Sequence, residues 1–461
     1  MNVSDPFKHY TETVCEQIRW KKAHAAVTKE LTDHLLDQKE AYIACGDSEA
    51  LAEEKALQQM GDPVEVGAAL DGMHKPAPQW GMLGLVLLLF GIGVFLQLQL
   101  APLLAEDWLQ ELFTARLYVL PFFAVITLLL FYHIDFSFFG KRSWLLPLLL
   151  FVSIILKEVF GLQVNGQRWF LLGNLAISPM LLCLFFPLGF SCILYRFRRQ
   201  GLYGYLKACS LAVCIAMILF GWFSTACLVV FTFAAAILLF TAAFRNWFGT
   251  KTKPVFFILA IAGLLAAVYL LFSAPYRFSR IAYTLHPEED PYGFGYIALL
   301  LRNMLADSKF FGSAKSALVP PQLTDDFCAE YFLTFITYRF GWLVSIGLVL
   351  LLAAFLVWGF RKCLKQKSIL GQMVSLSILS VFTAECFFYI LANLGYPFIS
   401  SACLPFLSYG MNSTLIHMAL TGILLSVFRT GDAQLDIIHI SKGKENRFIQ
   451  WADGTLMIHF K

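Results

Sequence analysis

The chain has 461 residues, of which 58% are hydrophobic and 16% aromatic, and only 14% are charged. Its mean hydropathy of +0.67 excludes an ordinary soluble domain, in which about 25% of residues carry a charge. The sequence therefore predicts a polytopic membrane protein. The small net charge of +4 gives no support to nucleic-acid binding, because Lys and Arg in such a protein mainly set its orientation.

The first 76 residues are predicted to form a short cytoplasmic helical domain. Apolar residues near one face predict a helix that ends at Gly46, and a second helix is predicted to begin at Asp47 or Ser48 and to close at Gly61 and Pro63. The first residues lack the apolar core of a signal peptide, so membrane insertion is expected to depend on the first transmembrane helix.

This segment is similar to the helical prefix that precedes some bacterial permeases, a resemblance carried by Gly46, Ala56, Gly61, Asp62 and Pro63. Two roles are open for it. It docks on the membrane domain, or it binds a partner and regulates the protein.

Ten apolar runs follow, each close to the roughly 20 residues that cross a bilayer. They cover residues 81–100, 115–133, 144–162, 176–195, 203–221, 224–244, 255–275, 332–358, 370–392 and 410–428. The fold class predicted from them is an all-α membrane protein with ten transmembrane helices over residues 80–430. Lys157 and Glu158, near the end of the third run, are predicted to reach the membrane interface rather than line a pathway.

Positive charges predict how these helices are oriented. Every even-numbered run from the second to the eighth is followed by Lys and Arg, beginning with Lys141 and Arg142, whereas the first connection carries only the acidic residues Glu106, Asp107 and Glu111. Basic loops stay in the cytoplasm. Both termini are therefore predicted to be cytoplasmic, and the long polar loop at about 276–330 is predicted to lie outside.

Residues 431–461 are predicted to form a cytoplasmic tail. Apolar and polar residues alternate on both sides of Asp453-Gly454, a good turn pair, which predicts a small β-hairpin.

The 11 cysteines form no C-x-x-C pair, and no histidine pair has a spacing typical of zinc or iron ligands. We interpret the cysteines as small buried hydrophobic residues and predict no dedicated metal site.

Three segments on the predicted outer side have an order of residues that hydrophobic periodicity does not explain. They read VNGQRW at 164–169, RIAYTLHPEEDPYGFGY at 280–296 and LPFLSYG at 404–410. Together they resemble the SEDS family, the FtsW/RodA/SpoVE proteins of cell shape, division and sporulation, over about residues 80–430.

The resemblance implies a glycosyltransferase of the bacterial plasma membrane that polymerises lipid II at the outer face. It implies lipid II, the growing lipid-linked glycan and membrane lipids as binding partners, and a class B penicillin-binding protein beside the enzyme. An acid in the outer loop is expected to act as base, because a sugar hydroxyl is a poor nucleophile at neutral pH. A divalent cation at the donor diphosphate is implied by the family alone, and no other cofactor is expected.

Two ways of aligning the chain with the family motif place the catalytic base at different residues. Counting back from Phe340-Gly341 places Glu330 where the family has its aspartate, whereas counting forward from residues 319–321 places Asp325 or Asp326 there. Asp325 and Asp326 are equally typical of a helix start, where acids need no catalytic role.

The residues expected to contact substrate are Arg168, Trp169, Arg277, Arg280, Ser408 and Tyr409. Cationic side chains among them are expected to meet the donor diphosphate. In the alternative interpretation, the arginines anchor at lipid headgroups or pair with residues 288–290, and Trp169 is an interface aromatic residue.

The chain also departs from the family pattern. A glycine-rich stretch keeps only Gly312, and the family's Q-P-S-E in the fourth helix reads Ser178-Pro179-Met180-Leu181. Two alternatives therefore stand beside the enzyme. One is a transporter of lipid-linked precursors, which needs charged or broken helices across the bilayer, and the other is a non-catalytic relative that recruits a partner through residues 1–75.

Overall fold

The computed structural model is mainly helical. It describes residues 5–74, 76, 78–100, 107–164, 167–172, 175–177, 183–223, 225–249, 251–272, 275–314, 330–399, 403–408, 410–430, 449–452 and 455–458. The predictions made for Asp325, Asp326 and Tyr409 lie outside these residues.

The N-terminal segment folds into four helices around a core of its own. They are α1 (Asp5–Gln17), α2 (His24–Ala44), α3 (Glu49–Met60) and α4 (Pro63–His74). The predicted breaks at Gly46 and Gly61 are confirmed, since both glycines have positive φ, 101° and 80°. The structure has four helices where two were predicted. The fourth, α4, packs closely on α1: a Cβ at Gly67 would lie 2.8 Å from the Val14 carbonyl oxygen.

Leu35→Ala is expected to unfold much of this N-terminal unit. Leu35 is fully buried, at 0% exposure, and truncating such a leucine destabilises a core by about 2–5 kcal/mol, a large share of a small domain's stability. Limited proteolysis of the full-length protein should then cleave residues 5–74 while the membrane domain stays intact.

The matched control for that experiment is Leu51→Ala, since Leu51 is 42% exposed and its loss leaves no cavity. Equal protease resistance of the two variants would contradict a separately packed N-terminal core.

The remaining helices form the membrane domain around a second, larger apolar core. They are α5 (Trp80–Leu100), α6 (Asp107–His133), α7 (Ser137–Lys141), α8 (Leu145–Phe160), α9 (Phe186–Phe197), α10 (Gly201–Trp222), α11 (Thr225–Phe244), α12 (Thr252–Phe272), α13 (Pro275–Leu285), α14 (Tyr296–Asp307), α15 (Phe332–Phe340), α16 (Trp342–Lys365), α17 (Ile369–Asn393) and α18 (Met411–Thr430).

Among the described residues, seven helical segments are long and apolar enough to cross a membrane. They are Trp80–Gln99, Phe113–His133, Phe186–Gly221, Thr225–Phe244, Trp342–Lys365, Ile369–Asn393 and Met411–Thr430. The chain is thus a multi-pass helical membrane protein. The count of ten crossings stays a prediction.

A small antiparallel sheet separates α8 from α9, where continuous helix was predicted from residue 176. Its strands are β1 (Leu162–Val164), β2 (Gln167–Leu172) and β3 (Leu175–Ile177), in the order β1-β2-β3. The predicted fourth run is therefore wrong at its start, because residues 175–177 pair with β2.

The predicted eighth run is interrupted at Gly341. This residue has a φ of 95°, and a Cβ there would lie 2.7 Å from the Phe310 carbonyl oxygen. The backbone at 309–314 hydrogen-bonds across the break, with Gly312 N donating to Phe340 O at 3.1 Å and Trp342 N donating to Lys309 O at 3.1 Å. The run therefore becomes two helices, α15 and α16.

The segment predicted as one long polar loop is also partly helical. It contains α13, a short 3-10 turn at Pro287–Glu289 and α14. α14 packs on α15, Arg280 of α13 lies near Tyr331, and Cys403 lies near Glu330. Arg280, the start of α15 and the 403–408 loop are therefore at the same end of the membrane domain.

In the C-terminal tail, β4 (Ile449–Ala452) pairs with β5 (Thr455–Ile458) in antiparallel register. Asp453, Gly454 and residues 431–448 lie outside the described residues, so the tail hairpin as a unit stays a prediction. Most of the cysteines that the structure describes are buried as predicted, whereas Cys45 and Cys214 are exposed.

Candidate functional site

The LPFLSYG segment begins with a loop that is packed among helices. Leu404, Phe406 and Leu407 are all at most 2% exposed. The Phe406 ring lies 5.3 Å from the Phe355 ring and 5.9 Å from the Phe382 ring, centroid to centroid. This aromatic packing holds the Phe406 backbone at a φ of 68°, which is uncommon for a residue with a side chain.

Helix α5 supports the same loop through its backbone. A Cβ at Gly93 would lie 2.7 Å from the Phe406 carbonyl oxygen, so the helix approaches as closely as a residue without a side chain allows. Gln97 Nε2 also donates a hydrogen bond to the Leu407 carbonyl oxygen at 2.5 Å. The loop is therefore fixed at one end of the bundle.

Ser408 was predicted to contact substrate, and the structure places it inside this loop. It is 3% exposed, and its Oγ accepts a hydrogen bond from Leu404 N at 2.7 Å. The Tyr389 hydroxyl hydrogen-bonds to the same serine. This geometry supports a role in closing the loop and gives no support to substrate contact by Ser408.

Glu330 lies two residues before the start of α15, next to Tyr331 in the chain. Its backbone carbonyl accepts a hydrogen bond from Asn393 Nδ2 at 3.1 Å, and its carboxylate hydrogen-bonds with the Tyr331 side chain. Burial raises the pKa of the Tyr331 hydroxyl, the Glu330 carboxylate adds to the rise, and the Arg280 guanidinium opposes it. The structure therefore brings an acid, a phenol and a guanidinium together.

Cys403, at the start of the buried loop, is adjacent to this group. Burial raises the pKa of its thiol to about 11; the Ser413 hydroxyl lowers it, and the Glu385 and Glu330 carboxylates raise it further. The carboxylates of Glu330 and of Glu385 in α17 thus both act on Cys403, and its raised pKa favours the protonated thiol at neutral pH.

We expect Cys403 to react slowly with alkylating agents near pH 7.5, since the thiolate is the nucleophile. Because the pKa of its thiol is raised to about 11, its alkylation rate should increase by about tenfold per pH unit and reach no plateau below that value. Peptide mass spectrometry of the intact protein measures this rate, with exposed Cys45 as the internal reference. A plateau for Cys403 near neutral pH would contradict the buried environment.

Arg302 of α14 joins the end of α13 to the segment after α17. Its Nη2 donates to the Thr284 carbonyl at 2.6 Å and its Nε donates to the Gly395 carbonyl at 3.2 Å. Its guanidinium also lies 4.5 Å from the centroid of the Tyr396 ring. Sequence analysis missed this residue, because its partners come from two distant segments.

The other predicted residues are only partly described. Arg168 and Trp169 lie in β2, opposite Gln163 and Leu162 of β1, and Arg277 lies in α13, but their side chains are outside the described residues. Of the predicted set, Glu330 and Arg280 are the ones whose side chains the structure brings together.

Three ionisable side chains of the bundle, Lys157, Glu385 and His417, are buried. Lys157 is 2% exposed, with its Nζ 3.2 Å from Glu158 Oε1 and 4.0 Å from the centroid of the Phe223 ring. The prediction that Lys157 reaches the interface is therefore wrong, because the lysine is enclosed by neighbouring helices. Glu385 of α17 contacts His417 of α18 at 3.1 Å, and both side chains are at most 2% exposed.

Sequence analysis gave no role to Glu385, His417, Tyr389 or Asn393. A signal was available for the α17 residues: Glu385, Tyr389 and Asn393 are spaced four apart and share one helix face. No comparable signal was available for His417, which is a single polar residue in an apolar run.

Comparison with known proteins agrees with this architecture. The profile of the FtsW/RodA/SpoVE family, described as "Cell cycle protein", matches residues 79–432. The chain belongs to the FtsW/RodA/SpoVE family. The N-terminal unit lies outside the matched residues.

Similar members of the FtsW/RodA/SpoVE family include a probable peptidoglycan glycosyltransferase FtsW of Idiomarina loihiensis, 27% identical over 62% of this chain and 71% of the relative. Stage V sporulation protein E of Bacillus subtilis is 25% identical over 77% of this chain and 98% of the relative.

Two solved structures share the fold. A chain of a peptidoglycan synthase complex matches with a TM-score of 0.62 and 20% identity, covering 77% of this chain and 98% of that one. RodA, the rod shape determining protein of Thermus thermophilus, matches with a TM-score of 0.52 and 18% identity over the same shares of the two chains.

Proposed function

We propose that this protein is a SEDS-type peptidoglycan glycosyltransferase that polymerises lipid II at the outer face of the bacterial plasma membrane. The observation that carries the proposal is that the Glu330 carboxylate and the Arg280 guanidinium both act on Tyr331. Glu330 also acts on Cys403, at the start of the fixed LPFLSYG loop. The relatives named as peptidoglycan glycosyltransferases support the same reaction class.

In the proposed reaction, the Glu330 carboxylate accepts the proton of an acceptor sugar hydroxyl as its oxygen attacks the anomeric carbon of the donor. The bond from that carbon to the diphosphate oxygen breaks, and the diphosphate leaves with the bonding electrons. A positioned base typically accelerates such a step by about 10²–10⁴-fold. Arg280 would stabilise the charge that develops on the leaving diphosphate.

Substrate contact by Arg168, Trp169, Arg277 and Tyr409 belongs to this proposal, as do Asp325 and Asp326 as alternative bases. Within the described ranges, no three His, Cys, Asp or Glu side chains form a group able to hold a metal ion. A divalent cation would therefore be held largely by the substrate diphosphate.

The topology in this proposal has ten crossings with both termini in the cytoplasm. The further apolar helices α8 and α12 and the basic loops after the even-numbered runs support it. A class B penicillin-binding protein is the proposed partner, as a peptidoglycan synthase complex contains a chain of the same fold.

A second candidate function is the movement of a lipid-linked precursor across the membrane. The buried Lys157 and the buried Glu385–His417 pair favour it, since ionisable side chains within membrane helices often mark transport paths.

One experiment separates the candidates. The purified full-length protein, in vesicles with lipid II and with or without a class B penicillin-binding protein, should produce glycan chains that resolve on a gel. Movement of labelled lipid II between leaflets without polymer would favour transport, and neither product under any partner condition would favour a partner-recruiting scaffold. Both of these outcomes would overturn the proposed glycosyltransferase.

A further inference from the structure

A row of polar side chains runs along α17 towards the candidate active site. Glu385, Tyr389 and Asn393 follow one another at intervals of four residues, so they lie on one face of the helix. With a rise of about 1.5 Å per residue, the row spans about 12 Å. All three are at most 2% exposed, and polar groups buried in this way need partners.

Tyr389 and Asn393, the two members of the row closer to the end of α17, hold the segment that contains Glu330. The Tyr389 hydroxyl accepts a hydrogen bond from Phe332 N at 3.0 Å. Asn393 Nδ2 donates to the Glu330 carbonyl at 3.1 Å, and Asn393 Oδ1 accepts from Thr334 N at 2.9 Å. The backbone from 330 to 334 is therefore attached to α17 at three points.

Glu385, the first member of the row in the chain, connects α17 to α18. Its Oε2 lies 3.1 Å from His417 Nε2, and the His417 ring packs edge-on against Phe382 with a centroid distance of 5.7 Å. Phe382 in turn contacts Phe406 of the buried loop. An ionisable pair in such an apolar setting is expensive to bury, so its presence within membrane helices points to a function.

The 403–408 loop joins the two ends of this row. The Cys403 thiol contacts the Ser413 hydroxyl of α18 and lies near both the Glu385 and the Glu330 carboxylates. Ser408, in the same loop, hydrogen-bonds to the Tyr389 hydroxyl, which also accepts a hydrogen bond from Phe332 N of α15. The position of α17 along its axis relative to α18 therefore determines where the 403–408 loop and Glu330 lie.

We propose that the Glu385–His417 pair is a positioning unit for Glu330: it fixes α17 against α18 so that Tyr389 and Asn393 hold the catalytic carboxylate at its working place. The expected effect on kcat rests on the proposed function, whereas the expected effect on the position of residues 330–334 does not. Glu385 and His417 are positioning residues and do not touch substrate.

The test compares three variants of the full-length protein. Glu385→Leu removes the contact, Glu385→Gln keeps a hydrogen bond to His417, and the double variant Glu385→His with His417→Glu exchanges the two partners. Thr383→Val is the matched control on the same helix, because the Thr383 hydroxyl donates only to the Leu379 carbonyl of its own helix, at 2.7 Å.

In lipid II polymerisation, Glu385→Leu should lower kcat by about 10-fold to 100-fold, the loss expected from a misplacement of about 1 Å, and leave KM within about twofold of the wild type. Glu385→Gln and the exchange variant should recover most of kcat. A wild-type kcat per folded molecule in Glu385→Leu would overturn the proposal, as would equal losses in Glu385→Gln and Glu385→Leu.

A second measurement does not depend on catalysis. Hydrogen exchange of the Phe332 and Thr334 amides should be faster in Glu385→Leu and unchanged in Glu385→Gln and Thr383→Val. Unchanged exchange in Glu385→Leu would overturn the positioning role. If the wild type made no polymer, the proposed glycosyltransferase activity would be rejected. The hydrogen-exchange result would still decide whether the Glu385–His417 pair positions Glu330.

Discussion

Glu330→Gln is expected to reduce lipid II polymerisation by about 10²–10⁴-fold, the typical contribution of a general base. The amide has nearly the shape of the carboxylate but cannot accept the proton of an attacking sugar hydroxyl. The Asn393 hydrogen bond goes to the backbone carbonyl of residue 330 and should survive the change. The substrate should therefore still bind, and the loss should be in kcat, measured by the rate of glycan formation at saturating lipid II.

Glu288→Gln is the matched control, since Glu288 is an exposed acid of the same outer segment. It should polymerise like the wild type. Asp325→Asn and Asp326→Asn, measured in parallel, address the other two candidate bases. Full activity of Glu330→Gln together with loss of activity in either aspartate variant would move the base to that aspartate.

Gly93→Val is expected to displace the 403–408 loop and remove most of the activity. The first side-chain carbon would lie 2.7 Å from the Phe406 carbonyl oxygen and 2.9 Å from the Leu407 Cα, and both atoms belong to backbone that cannot rotate away. Overpacking of this kind destabilises by about 1–3 kcal/mol. Because the Leu404–Ser408 loop is linked to Glu330 through Tyr389 and Cys403, a shift of about 1 Å should lower polymerisation by about 100-fold.

Gly91→Val provides the control on the same helix, because a Cβ at Gly91 has nothing within 4 Å. Both variants place the same branched residue in α5, so helix propensity changes equally. Thermal unfolding and glycan synthesis of the two should therefore differ only through the loop contact. Similar behaviour of Gly93→Val and Gly91→Val would mean that the loop accommodates the side chain.

Hydropathy predicted the long membrane helices well, and the reason is physical. A helix such as α11 or α16 must present about 20 apolar residues to hydrocarbon, and this demand is visible in the sequence alone. Gly341 was missed as a break because residues 332–358 form one long, mainly apolar run with a single charged residue, Arg339. The break depends on the Phe310 carbonyl, which arrives from a segment that reads as polar loop.

The candidate site was predictable only in part. Glu330 and Arg280 were found through the family resemblance, while Asn393, Tyr331 and His417 were not found. Asn393 meets Glu330 across 63 residues of chain, and His417 meets Glu385 across 32 residues. The spacing of Glu385, Tyr389 and Asn393 marks a polar face of α17, but it does not identify the partners of that face, so only the folded arrangement shows which polar residues act together.

The two apolar cores described above have no residue in common. Among the described residues, loss of the leading four-helix module would therefore remove one apolar core whole and leave the side chains of the other core in place.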